Sequence, residues 1–156
     1  MSDESWRGKV GRLAEDEVAA FLQEPVFARL ATVDEEGWPY VVPVWHEWSD
    51  GRFWVIGREK SAWAKHLVRE PRCALTIDET GTQRKVIAQC RAEIVEEPNV
   101  GGAWVPIAER MSVRYLGENG PKYLEPTLTA PRWPIALRPV RMWTWQGNDW
   151  HSRYKG

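Results

Sequence analysis

The order of apolar and polar positions divides the chain into short units. Residues 1–12 are polar and read as a loose arm. Residues 14–22 place acids first and then Val18, Phe21 and Leu22 at helical spacing, which predicts a short amphipathic helix. From residue 28 the period drops to two. Residues 28–33 read as a first strand, the acidic-glycine run at 34–37 as a turn, and residues 38–48 as a second strand. A turn at 49–51 and a third strand at 53–57 complete an antiparallel meander. A basic-serine run at 58–61 then opens a helix over 62–69. Glu70-Pro71 ends it, because the residue before proline avoids helical backbone.

The second half alternates in the same way. Residues 73–78 read as a strand, 79–82 as a turn and 85–96 as a long hairpin partner. Pro98-Asn99 opens a helix at about 100–115, and 117–131 reads as a loop containing proline and glycine. Two last strands, 135–138 and 140–146, flank Pro139, which a sheet accepts only at an edge or bend. Six to seven short antiparallel strands with few helices make the fold mainly β. A small closed or split β-barrel follows, since closure removes exposed strand edges. At 156 residues the whole chain, 1–156, reads as one domain.

Charge and composition then narrow the function. Lys and Arg total 21 against 22 Asp and Glu, so no basic field points to nucleic acid. No run approaches the ~18 apolar residues of a membrane span, and the N-terminus lacks the apolar core of a secretory leader. A cytoplasmic protein without a membrane partner is the expectation. Cys73 and Cys90 form no C-x-x-C pair, and His46, His66 and His151 share no ligand spacing, so no metal site is expected. Nucleophile-elbow, phosphate-loop and dinucleotide signatures are all missing. The outlier is tryptophan, 11 of them, which suits an interface or a ring-binding pocket as well as a Trp-rich core. Arg58, Lys60 and Ser61 precede a helix start, where free amides and cationic side chains together suit a phosphate. The same residues also describe a solvated turn with an N-cap serine.

Residues 31–45, followed by a strand, the basic-serine turn and residues 66–75, resemble the FMN-binding split-barrel family typified by pyridoxamine 5′-phosphate oxidase. The closing run Trp145–Tyr154 is similar to that oxidase's Trp-Gln-Gly…His-x-Arg segment. The resemblance covers roughly 14–97 and 135–154. It implies a homodimer with two FMN molecules at the subunit interface. Along each flavin it implies Val42, Pro43, Val44, Trp45 and His46 from the second strand, and Val55 and Ile56 from the third. Arg58, Lys60, Ser61 and Trp63 of the turn would face the phosphate. Lys85 stands where the oxidase has a flavin-contacting glutamine, and Trp145 and Arg153 match closing flavin contacts.

Departures shape the expectation further. Ser61-Ala62-Trp63 replaces the oxidase's Ser-Arg-Lys, so Arg58, Lys60 or Lys65 must supply the phosphate's cation, and Val42 replaces an arginine. His151 is the expected substrate contact. Asp149 stands where the oxidase has an arginine, so a substrate phosphate should be repelled and pyridoxamine 5′-phosphate oxidised poorly. The resulting expectation is an FMN-dependent oxidoreductase with a small-molecule substrate and NADH or NADPH as a possible electron donor. Two alternatives stand beside it. One is a deazaflavin-dependent reductase, with Lys65, Arg69 and Arg72 as a basic groove for an acidic tail. The other is a non-catalytic flavin- or haem-binding protein, since one axial histidine suffices for haem.

Overall fold

The computed structural model describes residues 5–156; residues 1–4, and with them part of the expected arm, lie outside the described residues. Seven strands form one antiparallel sheet: β1 Ala28–Val33, β2 Pro39–Val44, β3 Glu47–Ser49, β4 Arg52–Arg58, β5 Arg72–Asp78, β6 Lys85–Ile94 and β7 Arg132–Trp145. Their order is β2-β1-β5-β6-β7-β4-β3. Only Trp45 and His46 lie between β2 and β3, yet these two strands stand at opposite ends of that order. Two residues span about 10 Å at most, so the sheet must curl until its edges meet. This is the split barrel, mainly β as expected.

That closure corrects the meander. The expected continuous strand over 38–48 is two strands bent at Trp45-His46, because one straight strand cannot serve both edges of a curled sheet. The last two strands also differ from expectation. They are one strand, β7, and Val140 is left as a bulge between Arg141, which faces Gln89, and Pro139, which faces Cys90. Only Arg132–Leu137 of β7 pair with β4. Beyond that point Pro139 sits at a local edge, where its missing N–H costs no ladder bond.

Alternating side chains fill the barrel: Leu30, Val55, Ile77, Val86, Ile135 and Leu137 are buried, joined by Phe21 and Leu22. Phe21 ends helix α1 (Glu15–Phe21), and helix α2 (Ala62–Arg69) adds Trp63, Ala64 and Leu67. Gly57 lets α2 approach; a Cβ there would lie 2.8 Å from that of Ala64 and 2.9 Å from the Trp133 ring nitrogen. Of the arm, Gly11 exchanges backbone hydrogen bonds with Gln146 at 2.9 and 2.8 Å, so residues near it run alongside the end of β7.

A second, smaller core lies outside the sheet. Helix α3 (Trp104–Leu116) and helix α4 (Gly120–Leu124) cover the outer face of β4 and the first half of β7. Trp104, Ala108 and Leu124 pack there against Ile56, Val105 and Leu128. Residues 117–131, expected as a loop, are therefore largely helical turns. Gly120 permits this, since a Cβ on it would come within 2.6 Å of the Ser112 backbone.

Candidate functional site

A cavity of about 430 Å³ opens where the barrel seam meets the helical cover. Its size falls in the range of small-molecule sites. Along β4 the side chains alternate: Phe53 and Val55 point into the barrel, and Ile56 and Arg58 point out into the cavity. Pro43, Val44 and Trp45 line it from the seam, Ser61 and Trp63 from the turn into α2, and Ala108, Met111, Tyr123 and Leu124 from the cover.

Part of the lining is cationic. Arg58 and Arg132 are paired positions on β4 and β7, so their side chains leave the same face of the sheet. Both line the cavity. Arg132 is 5% exposed and donates to the Thr127 carbonyl (3.1 Å) and hydroxyl (2.6 Å), and its guanidinium lies 4.7 Å from the Trp104 ring centre. Burial, and then the charge of Arg58, press the Arg132 pKa below its usual value, with Tyr123 pulling the other way. No carboxylate of the described residues pairs with either arginine. Ser61 closes the turn rather than capping the helix: its hydroxyl accepts from the Arg58 N–H at 3.1 Å.

The cavity also has aromatic walls. Trp45 stacks on Tyr115 at 5.0 Å and 2°, and Tyr115 on Phe27 at 5.8 Å. Tyr123 leans on Trp45 at 5.4 Å. Tyr115 is fixed by donating to the Val26 carbonyl (2.9 Å) and accepting from the His46 N–H (3.3 Å). Its phenol is pushed above the usual pKa, chiefly by burial.

Of the residues expected along a flavin, the structure brings Pro43, Val44, Trp45, Ile56, Arg58, Ser61 and Trp63 together. Val42 packs against the barrel core instead. Val55 and His46 do not line the cavity: both side chains are fully buried, Val55 inside the barrel and His46 in the bend between β2 and β3 beside Phe53. Lys60 and Lys65 are exposed and off the cavity, because the turn and α2 carry them outward. Lys85 and Trp145 are paired positions on β6 and β7. Arg132 and Trp145 are the first and last residues of the 14-residue strand β7, so one chain cannot bring both to one ligand. His151 and Arg153 lie with Trp145; the His151 ring is 5.4 Å from that indole and accepts from the Arg153 N–H. Asp149 does not stand bare as expected. It pairs with Lys155 (2.6 Å) and Arg7 (3.5 Å), and the Lys155 contact holds its pKa low, so its repulsion of a phosphate is weakened.

The residues missed from sequence are Arg132, Tyr123 and the α3 contacts. Arg132 precedes the strand expected at 135, and six consecutive buried positions there hide the period of two that would have extended it.

A family model described as pyridoxamine 5′-phosphate oxidase matches residues 14–146. Among curated proteins none matches. A conserved hypothetical protein from Mycobacterium tuberculosis superposes with a TM-score of 0.69 at 26% identity, over 90% of this chain and 88% of its own. An F420 reductase gives 0.65 at 22%, over 79% and 93%. The haem storage protein HutZ from Vibrio cholerae gives 0.66 at 21%, over 86% and 96%. The last two likenesses speak for the fold alone.

Proposed function

The chain belongs to the pyridoxamine 5′-phosphate oxidase family, and we propose that within it this protein is an FMN-dependent oxidoreductase acting as a homodimer on a small molecule. One observation carries the reading: a single cavity is lined by two arginines and a serine together with the rings of Trp45, Trp63 and Tyr123. That donor set fits a molecule that is an anion at one end and a flat ring at the other. Arg58, Arg132 and Ser61 would hold the phosphate, and Trp45, Pro43, Val44 and Ile56 would flank the ring system. Bound flavin supplies two-electron chemistry, with NADH or NADPH as the candidate donor. The protein's part is to orient the ring, shield it from water and neutralise the phosphate.

The alternatives draw less support. Arg72 is tied to Glu70 at 2.5 Å and Arg69 to the Val33 carbonyl at 2.6 Å, so the groove suggested for a deazaflavin tail is already engaged. For haem, His46 is sealed in the barrel, His66 bonds the Thr32 hydroxyl at 2.9 Å, and His151 leans on Trp145. None of the three lines the cavity.

Protein purified from its native host should show a flavin absorption spectrum, and NADH or NADPH should bleach it if the protein is an enzyme rather than a carrier. FMN should bind more tightly than riboflavin. Arg58→Ala should lower FMN affinity about 10- to 100-fold, the worth of a charge-assisted contact, and leave riboflavin unchanged. Lys60→Ala should change neither. Equal losses for both ligands from Arg58→Ala would place the phosphate elsewhere.

The outer face of β2, β1, β5, β6 and β7 supports the homodimer. Val41, Ile87, Val140 and Trp143 are 63, 42, 58 and 43% exposed there, beside Ala31 and Ala74. An apolar sheet face of this kind is costly in water and well suited to a second copy. A second copy would also have to bring Lys85, Trp145, Arg153 and His151 to the flavin, which their own chain cannot. Sedimentation at low micromolar concentration should give a dimer, and Ile87→Asp with Trp143→Asp should give a monomer that has lost flavin. A wild-type monomer that retains flavin would refute this arrangement.

A further inference from the structure

Cys73 and Cys90 have no part in the seam cavity, yet they are paired positions on β5 and β6. Their side chains leave the same face of the sheet. Cys73 continues the buried alternation of Leu75 and Ile77, and Cys90 that of Val86 and Ala88. The Cys73 thiol already reaches across the ladder and lies 3.7 Å from the Cys90 carbonyl. Both thiols are free, and both line a second cavity of about 480 Å³ bordered by Ala31, Ala74 and Gln89. The type of pair fixes the spacing. The Ala92 N–H donates to the Pro71 carbonyl at 2.8 Å, and the Glu79 N–H to the Arg84 carbonyl at 3.1 Å. These bonded pairs lie an even number of steps from Cys73–Cys90 on either side, so the cysteines are a hydrogen-bonded pair too. Such a pair holds its Cα atoms about 5.5 Å apart, within the span of a disulfide. We propose that Cys73 and Cys90 are a reversible oxidation site: a hydroperoxide converts them to a cross-strand disulfide that ties β5 to β6.

The first sulfur attacks hydrogen peroxide and breaks its O–O bond, which gives a sulfenic acid and one water. The second sulfur then displaces the sulfenic oxygen as another water. Together the thiols give up two electrons and two hydrogens, and the peroxide becomes two waters. In a hydrogen-bonded pair the Cβ atoms stand about 5.5 Å apart, whereas a relaxed bridge prefers about 3.8 Å. Closing that gap strains the bridge, and a strained disulfide is the labile, reducible kind. The approach is eased at Cys90, where the register of β6 against β7 is already irregular. Burial, and then the neighbouring Cys90, push the Cys73 thiol up to about 12, and burial does the same to Cys90. Thiolate is therefore scarce at neutral pH, and the bridge answers sustained rather than brief oxidation. Hydrogen peroxide is little larger than water and enters a wet interface as water does, so a second copy over this face does not seal it. The pair stands independently of the flavin reading; on that reading, reduced flavin meeting dioxygen would supply the peroxide.

The test treats the full-length protein with hydrogen peroxide, alkylates it with iodoacetamide in denaturant, and reads the product by mass and peptide mapping. The expected product has lost two hydrogens, takes up no alkyl group and yields one peptide joining Cys73 to Cys90. A thiol reductant should restore both alkylation sites. Formation should quicken about tenfold per pH unit between pH 7 and 9, the course of a scarce thiolate. Cys73→Ser and Cys90→Ser should each abolish the bridge. Because Cys90 is buried and a serine there can disturb the fold, Cys90→Ala serves as a second variant that keeps a small apolar side chain in the core. Two thiols that still alkylate, under peroxide that fully oxidises free cysteine in the same buffer, overturn the proposal. So does a wild-type product made only of bridges between chains or of sulfinic and sulfonic acids.

Discussion

Replacing Trp104 with alanine should remove about 3–5 kcal/mol of unfolding free energy, the range for a buried large aromatic. Trp104 opens α3 with no exposed surface, and its ring nitrogen donates to the Asn99 carbonyl at 2.8 Å. It is the centre of the small core outside the sheet, packed with Ala108 and Leu124 and against Ile56. Truncation leaves a cavity that the short α4 cannot fill and removes the ring beneath the Arg132 guanidinium. Two readouts should therefore move together: the urea midpoint falls, and FMN affinity falls more than riboflavin affinity. Trp150, 73% exposed, is the control, and Trp150→Ala should stay within about 0.5 kcal/mol. A loss below about 1 kcal/mol in Trp104→Ala would mean that the helical cover does not hold the site.

Acid should destabilise the protein through His46 before any carboxylate takes part. The imidazole is fully buried, neither ring nitrogen has a well-formed hydrogen bond, and it sits against Phe53 at 6.0 Å. Its pKa is lowered from 6.5 to about 4, first by burial and then by the Arg114 charge; the Val26 carbonyl and Glu47 oppose this only in part. Arg114 cannot move away easily, because it donates to the His46 carbonyl. Above pH 6.5 the ring is neutral in both the folded and unfolded states, and the full stability is present. As pH falls below 6.5 the unfolded chain takes up a proton that the folded protein refuses until about pH 4. Stability then drops by up to about 1.4 kcal/mol per pH unit, about 2 kcal/mol between pH 7 and 5 and about 3 by pH 4. Below pH 4 both states hold the proton and this contribution ends. Urea unfolding of the wild type and of His46→Leu at pH 7 and 5 separates the effect, since exposed carboxylates titrate mainly below that window. Equal slopes for the two proteins would show that His46 is not the acid-sensitive group.

The local elements were legible in the sequence wherever the deciding interactions are local. The turn at residues 34–37 needs an Asp34 carboxylate able to accept from the Glu36 and Trp38 N–H groups, both at 2.9 Å, and that is a matter of neighbours in the chain. Helix α2 begins after a serine and ends before a proline, and its bounds match the expected 62–69. The family was legible too, because the motifs over 31–75 and 145–154 survive as contiguous runs. Val55 and Ile56 were both expected along a flavin, although neighbours on a strand face opposite ways, and the alternation could not say which of the two lines the cavity. Both faces of β4 are covered, one by the barrel interior and the other by α3 and α4, so hydrophobicity marks neither as the cavity.

Tertiary structure alone decided the bend at Trp45-His46, the union of the last two strands and the composition of the cationic wall. Curling a sheet of seven strands sets which residues become its two edges, and no local preference of Trp45 or His46 encodes that geometry. Arg58 and Arg132 are 74 residues apart in sequence, the difference of their numbers, and adjacent only because β4 pairs with β7. Lys60 and Lys65 looked better placed because they were near in the chain, but turn and helix geometry sent them outward. Sequence determined which short segments form and which family they belong to, because backbone propensity and contiguous motifs are properties of neighbouring residues. Which cations share a cavity wall depends on strand pairing across the barrel, and that is settled only when burial of the whole core selects one register.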